Sequence, residues 1–139
     1  KKVIAMIKRR LLDTNLIIRH LVQDNASQAK VAGKLFAACD QGEIILIVLS
    51  AVVAEAVFVL ESFYNHAPHN IAQVIGGLLA SPGIEPIDEK IHQAALVEYG
   101  RGKYHFVDCL IGAYAKEQNW PVASFDQGFR KRGVQVDLG

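Results

Sequence analysis

The sequence predicts an α/β protein, a three-layer α/β/α sandwich with a mainly parallel sheet of about five strands. Short apolar runs of strand character alternate with amphipathic stretches of helical spacing along all 139 residues. Hydrophobic residues make up 51% of the chain and charged residues 21%, which is enough apolar material for one core. We therefore expect a single domain over residues 1–139, with right-handed crossovers that place helices on both faces of the sheet.

The first half of the chain supplies two predicted strands and three predicted helices. The apolar end of the first strand runs into Asp13, Ser27 caps the second helix, and Ser50 caps the third. The continuous β-branched run of the second strand is typical of a strand covered on both faces. These elements are expected at 7–12 (strand), 16–22 (helix), 27–40 (helix), 44–49 (strand) and 51–64 (helix).

The second half repeats the alternation with shorter strands. Pro68 lies near a helix start, Asp88 opens the next helix, and that helix ends near Gly100. The expected elements are 71–79 (helix), 84–87 (strand), 88–100 (helix), 106–118 (helix), 122–125 (strand), a turn at 126–129 and 134–136 (strand). Ligands of such sheets bind at the carboxyl ends of the strands.

Composition indicates a soluble cytoplasmic protein. No apolar run is long enough to span a bilayer, and the opening residues lack the features of a signal peptide. Cys39 and Cys109 lie in apolar surroundings, which favours buried free thiols in a reducing compartment. The net charge of +1 neither requires nor excludes a polyanionic partner.

Four of the 14 acidic residues stand in apolar runs, whereas most others fall in polar loops, helix ends or exposed faces. They are Asp13, Glu55, Asp108 and Asp126. Burial of an ionised carboxylate without a partner costs several kcal/mol, and these runs contain no Lys or Arg at a suitable spacing. A neutralising group from elsewhere is therefore expected.

The predicted fold brings these four acids to one cleft. Asp13 and Asp126 end predicted strands, while Glu55 and Asp108 lie in the first turns of helices at the same sheet edge. Converging carboxylates favour a hard cation such as Mg²⁺ or Mn²⁺, which polarises a phosphoryl oxygen and acidifies bound water. A phosphodiester is the expected substrate.

Basic residues adjoin three of the acids, as expected for groups that hold flanking phosphates of a single-stranded nucleic acid. The clusters comprise Lys8, Arg9 and Arg10 before Asp13, Arg101, Lys103 and His105 before Asp108, and Arg130, Lys131 and Arg132 after Asp126. The residues expected to contact RNA are Arg9, Arg10, Arg101, Lys103, Arg130 and Lys131. Such runs are also common on solvated faces that bind nothing, so this interpretation stays open.

Each acid also has a purely structural interpretation. Asp13 could cap a helix, Glu55 could face water, Asp108 could stabilise a helix N-terminus, and Asp126 could shape a turn. Glu61 lies six positions beyond Glu55, points elsewhere and is interpreted as structural. His66 and His69 have no evident third ligand, so a zinc site is a weak alternative.

The order of four short motifs resembles the PIN-domain nucleases, in particular the VapC-like toxins of bacterial toxin–antitoxin pairs. The matching pieces are Leu11-Leu12-Asp13-Thr14-Asn15, Ala54-Glu55-Ala56 followed by Val59-Leu60, Asp108-Cys109-Leu110-Ile111-Gly112-Ala113, and Ser124-Phe125-Asp126-Gln127-Gly128-Phe129. Their order, spacing and the total length carry the resemblance, not any single piece.

This resemblance implies a ribonuclease with a five-stranded parallel sheet. Asp13, Glu55, Asp108 and Asp126 would hold Mg²⁺ or Mn²⁺, with Asn15, Ser124 and Thr14 orienting carboxylates or water. It also implies a homodimer and an antitoxin that lays a peptide segment over the active site. Such proteins begin near Met6, so Lys1–Ala5 are expected to be an extension or a cloning remnant.

Two rival functions remain at this stage. A phosphatase of the haloacid-dehalogenase type also places an Asp after its first strand, but it needs a second Asp where this chain has Asn15. The other rival is a catalytically silent PIN-like domain that binds RNA or a protein without cleaving it. The presence of all four acids favours the nuclease over this second rival.

Overall fold

The structure, a computed structural model, describes residues 7–139. Three strands and seven helices are found in this part of the chain. In chain order they are β1 (Lys8–Leu11), α1 (Thr14–Val22), α2 (Ala26–Asp40), β2 (Ile44–Val48), α3 (Ser50–Ser62), α4 (Pro68–Leu79), β3 (Ile84–Pro86), α5 (Glu89–Tyr99), α6 (Phe106–Gln118) and α7 (Gly128–Lys131).

The three strands form one parallel sheet in the order β1-β2-β3. Leu11 pairs with Ile47 and Val48 pairs with Pro86, so the carboxyl ends of all three strands meet at one edge. Residues of β2 are alternately buried and half-buried, which means that both of its faces are covered. This agrees with the expected α/β fold and explains the continuous apolar run of β2.

Local sequence accounts for the starts of α4 and α2. Pro68 occupies the first turn of α4, where its missing N–H costs nothing. The N-cap of α2 is Asn25, whose side chain accepts a hydrogen bond from the Gln28 N–H at 3.1 Å. The expectation that Ser27 caps this helix was wrong, because Asn25 is the residue with extended backbone directly before the first turn.

Among residues 7–139 the sheet has three strands and not the expected five. The segments predicted as strands at 122–125 and 134–136 meet only in a parallel bridge between Val122 and Val136. The chain turns soon after Val122, because the Asp126 N–H donates to the Ser124 hydroxyl at 3.0 Å. Val122 packs with Ala115, Phe129 and Val134 in a small second core beside the main one.

Both cysteines are buried free thiols, as predicted. Burial raises the pKa of Cys39, and it raises the pKa of Cys109 to about 12. The thiolate is the reactive form, so both side chains should resist modification in the folded protein. We expect a disulfide reagent at pH 8 to titrate almost no thiol until urea unfolds the chain, and two thiols per chain afterwards. Rapid native-state labelling would contradict this burial.

Two further expectations concern the N-terminal residues and membrane-spanning segments. The proposed extension at Lys1–Ala5 lies outside the described residues. Within 7–139, no helix combines the length and the apolar character needed to cross a membrane.

Candidate active site

The carboxyl edge of the sheet begins the candidate site. β1 ends at Leu11, and Asp13 follows it as the N-cap residue of α1 with extended backbone. The Asp13 side chain makes no capping hydrogen bond and is exposed to solvent. Its carboxylate is therefore accessible to a ligand, and the structural alternative of a side-chain cap is not what the geometry shows.

Residues next to Asp13 differ in their exposure. Thr14, the first residue of α1, is 4% exposed, whereas Asn15 is exposed. Thr14 thus lies between the proposed site and the main core, and Asn15 lies on the solvent side. Their proposed roles in orienting carboxylates or water stay predictions.

Glu55 lies on the solvent-facing stripe of α3. It is the sixth residue of that helix, in the second turn and not the first. Residues at positions 51, 55, 58 and 62 are all exposed, as the helical period requires for one face. Helix α3 packs against α1, which follows Asp13, and against α6, which carries Asp108.

Asp108 is the third residue of α6 and is half-buried. Its backbone carbonyl accepts a hydrogen bond from Arg132 Nη2 at 3.2 Å, which ties the C-terminal segment to the start of α6. The same guanidinium forms an ion pair with Glu98 and lies 4.4 Å from the centre of the Tyr104 ring. Arg132 therefore fixes the backbone of Asp108 and leaves its carboxylate unpaired among the described residues.

Asp126 shapes the turn before α7. Its Oδ1 accepts the Gly128 N–H at 2.8 Å, and its own N–H donates to Ser124. A Cβ at Gly128 would lie 3.1 Å from that oxygen, so glycine keeps this turn compact. The structural interpretation of Asp126 is thus met in part, but the residue is exposed and its second carboxylate oxygen has no protein partner among residues 7–139.

The burial that the sequence argument assumed was wrong. Asp13, Glu55 and Asp126 are exposed and Asp108 is half-buried. The buried apolar neighbours of Glu55 and Asp108 lie on other faces of their helices, whereas Leu11 near Asp13 and Phe125 beside Asp126 are themselves exposed. None of the four forms an ion pair within 7–139; the ion pairs there join Arg19 to Asp24, Lys90 to Glu117 and Arg132 to Glu98. The four carboxylates are therefore unpaired in the part of the chain that is described, although the Arg132 guanidinium contacts the backbone of Asp108.

The structure does not bring the acids into one ligand shell. Among residues 7–139, no group of three or more His, Cys, Asp or Glu side chains is placed to hold a metal ion. The donor chemistry nevertheless fits a hard divalent cation, since all four are carboxylates and three are accessible. Carboxylates repel one another, and a bound cation is the usual means of drawing them together.

The basic residues singled out by sequence lie on three separate elements. Arg9 and Arg10 are exposed on β1, Arg130 and Lys131 are exposed on α7, and Arg101 and Lys103 are exposed in the loop before α6. The loop leads directly into α6, which carries Asp108, and α7 packs against the same helix through Phe129 and Ala115. The six residues therefore lie on three elements, two of which adjoin α6.

Sequence reasoning missed the pair formed by Glu98 and Arg132. Glu98 was grouped with exposed acids, yet its side chain is 23% exposed and that of Arg132 only 8% exposed. Arg132 follows Phe129 by three residues and shares its buried side, with the two side chains in cation–π contact at 4.9 Å. This spacing from an aromatic residue was the one available signal that Arg132 differs from Arg130 and Lys131.

A second polar cluster also escaped the sequence analysis. Asp88 follows β3 at the same carboxyl edge as Asp13, with left-handed backbone (φ 50°), and accepts a hydrogen bond from the Tyr114 hydroxyl at 2.8 Å. Burial raises the pKa of Tyr114, which keeps its hydroxyl a neutral donor. His92 is completely buried beside it, with Nδ1 3.1 Å from the Asp88 carbonyl oxygen. This cluster joins α5 to α6.

The weaker candidates have structural explanations. Glu61 accepts a hydrogen bond from the buried Tyr99 hydroxyl, as its structural interpretation requires. His66 lies exposed before α4, and His69 is exposed at the start of that helix. Neither histidine belongs to a potential metal-binding group within the described chain, so the structure offers no support for zinc.

The structure defines a parallel α/β protein in which Asp13 follows β1 at the carboxyl edge of the sheet, while Glu55 and Asp108 lie on α3 and α6 and Asp126 lies in the turn before α7. A family model, described as PIN domain, matches residues 10–134, and the chain therefore belongs to the PIN domain family. PIN domains are typically nucleases and generally use divalent metal ions. No curated protein and no solved structure matches the chain. Family membership argues against the phosphatase alternative.

Proposed function

We propose that this protein is a divalent-metal-dependent ribonuclease that hydrolyses RNA phosphodiester bonds. The observation that carries the proposal is that none of the four candidate carboxylates of this PIN domain forms an ion pair among residues 7–139. A catalytic carboxylate committed to a lysine or arginine would be poorly available to a metal. Three of these four are also open to solvent and hence to a substrate.

The proposed ligands are Asp13, Glu55, Asp108 and Asp126, and the proposed cation is Mg²⁺ or Mn²⁺. When bound, such a cation would polarise the scissile phosphate and lower the pKa of water. The chain itself contributes the positions: Asp13 is the N-cap residue before α1, Glu55 lies on α3, and Arg132 holds the backbone at Asp108. Ser124 and Gly128 hold the Asp126 turn through hydrogen bonds.

The biological role we propose is that of the toxin in a toxin–antitoxin pair, acting in the cytoplasm. In this role the protein would form a homodimer and be inhibited by a cognate antitoxin. A short upstream reading frame for a small DNA-binding protein would support this role, and its absence would favour housekeeping RNA processing.

A second candidate is a PIN-like module that binds RNA or a protein without cleaving it. It is favoured by one observation, the lack of an assembled metal-ligand group within 7–139. The two candidates differ in how they respond to divalent cations. A ligand that binds only the folded state stabilises it by mass action, by about 2.7 kcal/mol at 100 times its dissociation constant.

The experiment pairs a cleavage assay with a thermal-shift titration. We expect single-stranded RNA to be cut with Mg²⁺ or Mn²⁺ and to stay intact with EDTA, while DNA of the same sequence is spared. We also expect the melting temperature to rise progressively with the Mn²⁺ concentration and to stay unchanged in a buffer that contains only EDTA. A protein that gains no stability from Mn²⁺ and cuts no RNA would be the binding module.

A further inference from the structure

A charged cavity of about 280 Å³ lies beside α6, and none of the four candidate carboxylates lines it. Its lining residues are Glu98, Arg101, Lys103, Tyr104, Lys116 and Arg132. Four of these are cations and one is an anion. Because Glu98 is already paired with Arg132, the remaining three cations give the cavity a net positive charge.

Among the lining residues of this cavity, Arg132 is the one held in place by contacts with the rest of the protein. Its guanidinium contacts Glu98 and the Asp108 carbonyl oxygen and lies over the Tyr104 ring. Its Nε is nevertheless buried without a hydrogen-bond partner within residues 7–139. A buried charged donor left unsatisfied is costly, and an anion or a water molecule is what usually satisfies such a group.

The cavity and Asp108 share one stripe of α6. Asp108, Gly112 and Lys116 are spaced four residues apart, and residues at this spacing lie on one side of a helix. Arg132 packs on the middle of this stripe, where a Cβ at Gly112 would lie 3.3 Å from its Nη1. The helical rise places Lys116 about 12 Å along the axis from Asp108.

This separation suits one RNA strand that contacts both places. Neighbouring phosphates of an extended strand lie several ångströms apart, so a phosphate about two nucleotides from the cleaved bond would reach the cavity. A phosphate group is small enough for this cavity. Its negative charge would compensate Arg101, Lys103 and Lys116, none of which forms an ion pair among residues 7–139. An apolar protein segment would leave those cations without compensation.

We propose that this cavity is a phosphate subsite for the backbone of single-stranded RNA, held by Arg101, Lys103 and Lys116 above the buried Arg132. The proposal rests on the proposed ribonuclease function for its substrate, but it concerns binding and not cleavage. It adds Lys116 and Arg132 to the group near Asp108. It also assigns no part of this subsite to Arg9, Arg10, Arg130 or Lys131.

The test measures affinity for a fluorescent single-stranded RNA in EDTA over a range of salt concentrations. The double variant Arg101→Ala/Lys103→Ala should bind roughly tenfold more weakly at 0.1 M salt, with the slope of log affinity against log salt reduced by about 1.4. Lys116→Ala should reduce this slope by about 0.7. The matched control Lys30→Ala/Lys34→Ala removes two exposed charges from α2 and should change neither quantity.

The outcomes separate this subsite from the nuclease proposal. Cavity variants that bind RNA like the α2 control would overturn the subsite, even if the unaltered protein cleaves RNA. Lost affinity in the cavity variants alone would support the subsite, even if the unaltered protein cleaves nothing. An unaltered protein that fails to bind RNA in EDTA would also overturn it.

Discussion

Asp108→Asn is expected to lose RNA cleavage by a factor of about 100 or more, because even indirect partners of a metal ligand contribute 10- to 100-fold to metal affinity or activity. The substitution removes the charge of a proposed ligand and almost no volume. Asp108 is the most enclosed of the four acids, being half-buried where the others are exposed. Its charge is therefore the least screened by water, and its loss should weaken cation binding most.

The fold of this variant should remain intact. The Asp108 carboxylate forms no hydrogen bond or ion pair among residues 7–139, and the contact with Arg132 uses the backbone carbonyl. The charge does lie in the first turn of α6, so its removal should cost about 0.3–1 kcal/mol. A urea titration measures this cost directly.

Glu117→Gln provides the matched control. Glu117 lies near the other end of α6, is exposed and is paired only with the exposed Lys90. We expect this variant to cleave RNA and to be stabilised by Mn²⁺ like the unaltered protein, whereas Asp108→Asn loses most of both effects. An Asp108→Asn variant with full activity on RNA would rule out a ligand role for this carboxylate.

The sequence predicted helices well because their signals are local. The expected helix at 106–118 coincides with α6, and the helix at 71–79 was placed near its true start at Pro68. The strand expected at 122–125 failed because pairing depends on distant residues. Hydrogen bonds within the Ser124–Asp126 turn end the extended segment after a single bridge to Val136.

The candidate acids were found by an argument whose premise was partly wrong. In the sequence, Glu55 is flanked by apolar residues. Those neighbours lie on the more buried faces of α3, whereas Glu55 and Phe58 lie on its exposed face. A run of apolar residues therefore does not report the burial of one member of a helix. The motif order survived this error, because it depends on spacing along the chain and not on burial.

The ion pair between Glu98 and Arg132 could not be predicted from the sequence. Their side chains meet across 34 positions, and a helix-end glutamate followed by a distant basic run has no local signal of pairing. In the fold, Arg132 of the C-terminal segment contacts both Glu98 of α5 and the backbone of Asp108 on α6. The position of the Asp108 backbone thus depends on Arg132, which the sequence alone would place among the surface charges.

Arg132→Met is accordingly expected to destabilise the protein by about 3 kcal/mol, the lower end of the range for breaking a buried ion pair. The variant leaves Glu98 partly buried without its cation and removes the hydrogen bond to the Asp108 carbonyl oxygen. It also removes the cation–π contacts with Tyr104 and Phe129. Methionine retains much of the side-chain length, so the loss should report charge and hydrogen bonding more than an empty cavity.

The neighbouring Arg130→Met variant separates this effect from a general loss of positive charge. Arg130 is exposed on α7, and its replacement should change the free energy of unfolding by less than about 0.5 kcal/mol. The difference between the two variants in a urea titration measures what the Glu98–Arg132 link contributes. Equal stabilities would mean that the C-terminal segment is held by the small core around Phe129 and Val134 and not by Arg132.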